Sequence, residues 1–362
     1  MKNLKKILLL ILVTSLFNRC TDHVDYEAIE GYQITSEIYF QQEADYDAAL
    51  VGTYDVLQWL FFNIQLGAIA SEITLCGGES ATDYIGIQQI DDMTHYPENN
   101  VLRQIWQFLY EGVNRANYME ENKANIDFEG KEAMYGEVYF LRAYYYFELV
   151  KFFGDVPLFT EARLTAGQAG TLTRTPKDEV YAQIELDLQN AIASLPNSQS
   201  QVGRVNKYTA YALLGKVLLY QDKFAEAASA LDNVIGVYSL VSDYGSQFLR
   251  FGENGPESVF EIQYSNQSNW YDWGCAHCSE GNYAIIMNGP RGWSGPEYAQ
   301  GWSFNVPTEE FYNSFEEGDS RRDATVLDIE AFAAATGASY TEGYDHTGCL
   351  LYTSDAADDQ LG

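Results

Sequence analysis

Residues 141–158 read LRAYYYFELVKFFGDVPL, and this stretch decides the fold. It is apolar nearly all round, and a helix of that kind is buried on most of its sides because it has no polar face to turn to water. We therefore predict a buried helix over residues 130–152, with Tyr144 to Phe147 in the core. Gly154 and then Pro157 end it, since glycine suits the left-handed cap and proline cannot continue a helix.

Helical spacing extends to both sides of this stretch. Apolar residues recur every three or four positions over residues 45–65 and 99–124, which predicts two helices before the buried one. Residues 74–100 between parts of this pattern are polar and glycine-rich, and we interpret them as a long loop. A further helix begins near Thr175, which is predicted to cap it in a capping box with Asp178.

Residues 208–236 place small and apolar residues at the spacing of a tetratricopeptide repeat. In that repeat a small residue such as Gly215 lets two antiparallel helices approach closely, and residues 221–223 form the turn. The pair over residues 99–152 has a similar size. The sequence therefore predicts a mainly α fold of tetratricopeptide-like stacked helical hairpins, and an ordinary helical bundle is the alternative.

The chain changes character after residue 240. Residues 258–264 alternate apolar and polar side chains, which predicts a short strand. Residues 265–306 contain 6 Gly and 4 of the 6 Trp with little periodicity. Flat aromatic rings with polar neighbours suit the C–H faces and hydroxyls of sugars. Candidate ligand-binding residues here are Trp270, Trp273, Tyr283, Trp293, Tyr298 and Trp302. The alternative is that these rings form the core of the irregular region.

A second wall of the candidate site is expected in the polar loop, from Asp83 and Tyr84. No phosphate loop, nucleophile elbow or paired-histidine motif occurs, so no catalytic residue is proposed. The 52 acidic against 21 basic residues make a net charge of −31, which excludes nucleic acid as a partner because a polyanion is repelled. The spacing Cys275-Ala-His277-Cys278 lacks the two further ligands of a zinc site, which favours a local disulfide or free thiols. We expect no cofactor.

Five motifs in chain order resemble the SusD/RagB family, the surface nutrient-binding lipoproteins of Bacteroidota. They are the stretch 141–158, Thr173-Arg174-Thr175-Pro176 with Ile184-Glu185-x-Asp187-Leu188, Gly203-Arg204-Val205, Glu257-Ser258-Val259-Phe260-Glu261-Ile262 and Asp319-Ser320-Arg321-Arg322. The resemblance implies a binding protein without catalysis that delivers a nutrient, most simply an oligosaccharide, to a SusC-like TonB-dependent transporter. A protein- or peptide-binding helical-repeat lipoprotein is the alternative.

The N-terminus has the sequence pattern expected of an exported lipoprotein. Three lysines precede seven apolar residues, Ile7 to Val13, which is the pattern of a secretory signal peptide over residues 1–19. Cys20 follows where a lipoprotein cysteine would stand, although an incidental cysteine is the alternative, and Arg19 before it is atypical of lipoproteins. Through the resemblance we expect lipidation of Cys20 and a surface-exposed, lipid-anchored place on the cell outer membrane.

The remaining organisation follows from these assignments. Residues 20–240 are predicted to be the helical region and residues 241–345 the irregular ligand-binding region. The chain is shorter than the family usually is, and residues 346–362 look like translated adapter sequence. We therefore expect a C-terminally truncated fragment with a non-native tail.

Overall fold

The computed structural model describes residues 39–61, 63–265 and 275–341 of the chain. The signal peptide, Cys20, Trp270, Trp273 and the expected tail lie outside the described residues. Twelve α-helices occur in the described part: α1 Glu43–Asp55, α2 Ile85–Asp91, α3 Asn100–Glu121, α4 Lys131–Phe153, α5 Ala166–Ala169, α6 Lys177–Ser194, α7 Lys207–Leu219, α8 Phe224–Leu231, α9 Tyr283–Asn288, α10 Glu309–Asn313, α11 Arg321–Thr325 and α12 Ile329–Thr336.

Shorter elements connect these helices. Strands β1, Thr74–Leu75, and β2, Val306–Pro307, pair antiparallel with Thr74 opposite Pro307. A 3₁₀ turn, Val56–Trp59, and a π turn, Asn63–Ala68, follow α1. Three more 3₁₀ turns lie at Tyr244–Phe248, Arg250–Gly252 and Ala276–Cys278.

The scaffold is a row of helices in which sequence neighbours pack against each other. Helix α3 packs between α1 and α4, α4 packs on α6, and α6 packs on α7, which pairs with α8. Helix α4 is the centre of this row. Its Tyr145, Tyr146 and Phe147 are fully buried, as the all-round apolar pattern predicts. The predicted mainly α, tetratricopeptide-like stacking is confirmed. None of the described helices combines the length and apolar character that a membrane span requires.

The first two motifs are joined at the middle of this row. Arg142 on α4 makes two parallel hydrogen bonds to Asp187 on α6, at 2.8 and 2.7 Å, and both side chains are buried. The same guanidinium donates to Asn117 Oδ1 at 3.0 Å and to the carbonyl of Thr160 at 2.7 Å. A bidentate arginine–carboxylate pair fixes both distance and orientation, so these bonds set how α4 lies on α6.

The turn after α4 and the start of α6 are also joined. Asp155 Oδ1 accepts from the backbone N–H of Lys177 at 2.8 Å, and Val156 forms an isolated antiparallel bridge with Thr175. The predicted capping box is therefore wrong. Helix α6 starts after Pro176, and no side chain at its N-cap position caps it. A carboxylate from a distant turn satisfies the exposed N–H instead.

The third motif ties the helices to the segment after α6. Arg204 pairs with Asp47 at 2.9 Å and with Glu137 at 3.5 Å, while the backbone N–H of Val205 donates to the hydroxyl of Tyr54 at 3.0 Å. The motifs behind the family resemblance are thus mainly devices that hold the scaffold. They say little about which surface binds a ligand.

Two sequence predictions of local structure are wrong. Residues 258–264 form no strand; Phe260 and Ile262 pack on the helical core, while Glu261 and Gln263 bond to Asn254. The alternation therefore reflects packing on helices rather than pairing in a sheet. The predicted loop 74–100 contains α2, whose Ile87 and Ile90 are buried. A helix of two turns is too short for periodicity to reveal it.

Candidate functional site

Three of the residues predicted to bind a ligand meet at one open cavity. Asp83, Tyr84 and Tyr283 lie far apart in sequence but all line a cavity of about 590 Å³. The cavity lies between the loop before α2, the first turns of α3 and the segment that leads into α9. Its volume is within the range of pockets that hold small ligands, roughly 300–1,000 Å³.

One wall of this cavity is aromatic. The rings of Phe61 and Tyr283 are stacked, with centroids 5.3 Å apart and planes 11° apart. The ring of His277 lies edge-on to Phe108 at 6.1 Å and to Trp59 at 5.6 Å. The aromatic lining residues are Phe61, Tyr84, Phe108, His277 and Tyr283, of which Tyr283 is only 3% exposed and therefore supports the wall from behind.

Tyr84 is held in place by its backbone and by its neighbours. It has φ +49°, a left-handed conformation that costs a non-glycine residue on the order of 1–2 kcal/mol. Its ring lies edge-on to Phe304 at 5.7 Å, and its hydroxyl accepts from Gln65 Nε2 at 3.4 Å. Burial raises the pKa of Tyr84 to about 12, so the hydroxyl stays protonated at neutral pH.

A disulfide shapes the turn that carries His277. Cys275 and Cys278 are bonded to each other, which resolves the choice between a disulfide and free thiols. Together with His277 their ligand atoms lie within 4.8 Å of one another. Sulfurs that are bonded to each other are not thiolates, and the thiolate is the form that binds metal. The turn therefore serves here as a wall of the cavity.

Helix α3, which also carries Phe108, supplies the polar lining of the cavity. This lining consists of Asn100, Arg103, Gln104 and Gln107 on the first two turns of α3. None of these four side chains hydrogen-bonds to another described residue, and Arg103 has no ion pair within the described part of the chain. Amide and guanidinium groups without partners are available to a ligand that carries hydroxyls.

Asp83 links this cavity to the irregular region. Its Oδ2 accepts from the backbone N–H of Glu79 at 2.8 Å and from Arg291 at 3.2 Å. The same arginine nitrogen donates to the carbonyl of Trp302 at 3.1 Å. Asp83 is about one third exposed, so it both lines the cavity and fastens the loop to the segment at 291–302.

The other predicted aromatics lie elsewhere. Trp293 is only 6% exposed and packs with Tyr298 and Phe332 in a small separate cluster. This placement agrees with the alternative in which the ring is core, and it leaves Trp293 no open face for a ligand. Trp302 is half-buried against Phe304 and does not line the cavity. The ligand-binding roles of these three residues stay predictions without support from their positions.

The polar lining on α3 and the rings of Phe61, Phe108 and His277 are not predicted by the sequence. Asn100, Arg103, Gln104 and Gln107 repeat every three or four residues, which any solvated helix face does. What distinguishes this face from an ordinary exposed one is that aromatic rings line the same cavity.

Comparison with known proteins identifies the family. Residues 70–219 match the SusD-like family model that is described as "Starch-binding associating with outer membrane". A solved laminarin-binding SusD-like protein is 34% identical, with a TM-score of 0.80, and the match covers 88% of this chain and 73% of that one. The chain belongs to the SusD-like family.

Two further relatives place it within that family. The surface glycan-binding protein A of Bacteroides thetaiotaomicron, solved in complex with laminarihexaose, is 26% identical with a TM-score of 0.77, over 88% of this chain and 71% of its own. SusD-like protein P2 of Formosa agariphila is 30% identical over 313 residues, which are 82% of this chain and 60% of that protein. The chain thus spans about three fifths of the length of this curated SusD-like relative.

Proposed function

We propose that the chain binds a neutral glycan in the cavity between α3 and the aromatic wall. The observation that carries the proposal is the pairing of the two walls. Phe61, Phe108 and His277 line the same cavity as the polar side chains of α3, which make no hydrogen bond to another described residue. Sugar rings need both features, since their C–H faces pack on aromatic rings and their hydroxyls need hydrogen-bond partners. The relatives that bind laminarin support the same class of ligand.

The charge of the chain favours a neutral glycan over an anionic one. A net charge of −31 creates a negative potential that lowers the local concentration of anionic polysaccharides. Arg103 is one cation at a site that also contains Asp83. One cation beside one carboxylate can hydrogen-bond to the hydroxyls of a neutral glycan, but it cannot neutralise the several carboxylates or sulfates of an anionic one.

The proposal also includes the location of the protein and its partner. We infer that the protein is a non-catalytic lipoprotein on the outer face of the outer membrane that passes its glycan to a SusC-like TonB-dependent transporter. The description of the matching family model, which mentions outer-membrane association, supports this placement. The signal-peptide pattern and Cys20 support the anchor.

Arg103 is expected to contribute to binding. In Arg103→Ala the guanidinium no longer donates to a ligand hydroxyl, and such charged hydrogen bonds contribute about 1.5–3 kcal/mol, or roughly tenfold or more in affinity. The measurement is calorimetric titration with oligosaccharides from laminarin, starch, xylan and alginate. We expect a neutral glycan to bind the wild type and alginate not to bind.

Arg174→Ala is the matched control, because Arg174 is also exposed but does not line the cavity. It should bind like the wild type. Thermal melts of all three proteins verify folding. If Arg103→Ala binds a wild-type ligand with unchanged affinity, the ligand does not lie against α3.

The anchor has its own test. In Cys20→Ala no thiol remains to carry lipid, so the protein should move from the outer-membrane fraction to the soluble fraction of cells that express it. Several acyl chains anchor a protein stably, whereas a protein without them has no such attachment. Unchanged fractionation of the variant would rule out Cys20 as the anchor.

One observation favours a second candidate function, binding of a protein or peptide. Leu219, Tyr220 and Phe224 around the turn between α7 and α8 are 44%, 53% and 62% exposed. Contiguous exposed apolar side chains often mark interaction sites. If no glycan of the panel binds the wild type, this candidate replaces the first.

A further inference from the structure

A second cavity lies beside the first on the same helix. It has a volume of about 570 Å³ and is formed by the next turns of α3 and the segment from Pro157 to Leu172, which includes α5. Gln107 lines both cavities. The two spaces are therefore neighbours, and the side chain of Gln107 lies at their common border.

The second cavity repeats the chemistry of the first with more apolar surface. The rings of Tyr110 and Phe159 are stacked with centroids 5.7 Å apart and planes 11° apart. Trp106 lies 4.9 Å from Tyr110, and Leu164 and Leu172 complete the apolar lining. A second pair of stacked rings is the kind of surface on which a further sugar ring packs.

Its polar groups are compatible with a neutral ligand. The carboxylate of Glu111 is paired with Arg115 at 2.8 Å, so its charge is compensated within the helix. Asn114 Oδ1 accepts from the backbone N–H of Leu164 at 2.8 Å, which ties the covering segment to α3. The side chain of Gln107 makes no hydrogen bond to another described residue, and its amide is available to a ligand at the border.

The lining residues of α3 form one continuous stripe. Arg103, Gln107, Glu111 and Asn114 follow each other at spacings of three or four residues, which places them on one face of the helix. At about 1.5 Å per residue, the stripe from Asn100 to Asn114 is about 21 Å long. The stripe therefore extends without interruption from the first cavity to the second.

We infer that the two cavities form one groove for a linear glycan chain that lies along α3 and passes from one cavity to the other at Gln107. The inference rests on the proposed function and specifies its ligand as a chain long enough to reach the aromatic linings of both cavities. Affinity should then rise with chain length beyond what the first cavity alone can hold.

The test is a length series of laminari-oligosaccharides from the disaccharide to laminarihexaose, measured by calorimetric titration. For the wild-type chain we expect laminarihexaose to bind about tenfold more tightly than the short members, because it gains the second aromatic contact. Ala169→Trp should remove this gain and leave the affinity for short members unchanged. Ala169 is exposed and lines only the second cavity, so an indole there fills it without disturbing the core.

Gly167→Trp is the matched control, since Gly167 lies on the same short helix but does not line the cavity and has open space around it. It should retain the full length dependence. Leu172→Asp, which puts a charge into the apolar lining, should lose it as Ala169→Trp does. Equal affinity of the wild type for short and long members overturns the groove and leaves the first cavity as the site. If laminari-oligosaccharides do not bind, the same series is measured with the neutral glycan of the panel that does, and if no glycan of the panel binds, both proposals are overturned.

Discussion

Asp187→Ala is expected to destabilise the fold by about 3–5 kcal/mol, because it leaves Arg142 charged, buried and without its counter-ion. Arg142 is 4% exposed and Asp187 is 1% exposed. A guanidinium cannot lose its charge at accessible pH, so the penalty cannot be avoided by deprotonation. Denaturant unfolding followed by circular dichroism measures the loss.

Two comparisons separate the cost of an orphaned charge from the value of the pair. Glu121→Ala breaks the pair with Arg163, whose members are 37% and 35% exposed, and it should cost at most about 1 kcal/mol. The double variant Arg142→Met with Asp187→Leu should recover most of the stability, since an apolar replacement of a buried pair is often near neutral. A loss in Asp187→Ala no larger than that in Glu121→Ala would mean that the pair is not buried as described.

Gly112→Leu is expected to lower the free energy of unfolding by about 3 kcal/mol or more, which is at the upper end of the range for overpacked cores. A Cβ at position 112 would meet the ring of Tyr145 at 2.5 Å. Tyr145 is fully buried, and its hydroxyl donates to the carbonyl of Thr53 at 2.6 Å, so the ring has nowhere to move. The contact between α3 and α4 must therefore open.

Gly215→Leu is the matched control at the contact of α7 and α8. A Cβ there would meet Leu231 at the same 2.5 Å, but Leu231 is only half-buried and can turn toward solvent. We expect a cost of about 1–3 kcal/mol. Thermal and denaturant unfolding of both variants tests the difference. Equal costs would show that the freedom of the contacted side chain is not what decides the penalty.

Long periodic runs predicted most helices, but the helix predicted over 45–65 is wrong in its second half, where α1 ends at Asp55 and a 3₁₀ turn and a π turn follow. The predictions over 99–124 and 130–152 agree with α3 and α4 to within a few residues. The turn at residues 221–223 is also found, with Asp222 at φ +59°. Short elements were not predicted, because α2 and the two-residue strands contain too few residues for a hydrophobic period to be recognised.

The candidate site was predictable only in part. Asp83, Tyr84 and Tyr283 were chosen for residue type within irregular sequence, and the fold brings them together. Trp293 was chosen by the same reasoning, yet it is buried in a separate cluster, and Tyr283 is itself buried behind the cavity wall. Composition identifies side chains that suit a sugar, but it cannot say which of their faces remains open after packing.

The sequence by itself determined the helical scaffold and the family, because helical periodicity is local and the first three motifs contain residues that hold neighbouring helices together. Arg142 and Asp187 illustrate this, since each appears in a separate motif and only their contact explains both. Only the tertiary structure brings together the residues of the proposed ligand site. The polar face from Asn100 to Asn114 shares its cavities with rings from distant segments, such as Phe61, His277 and Phe159, and the separation of these residues along the chain leaves no periodic signal.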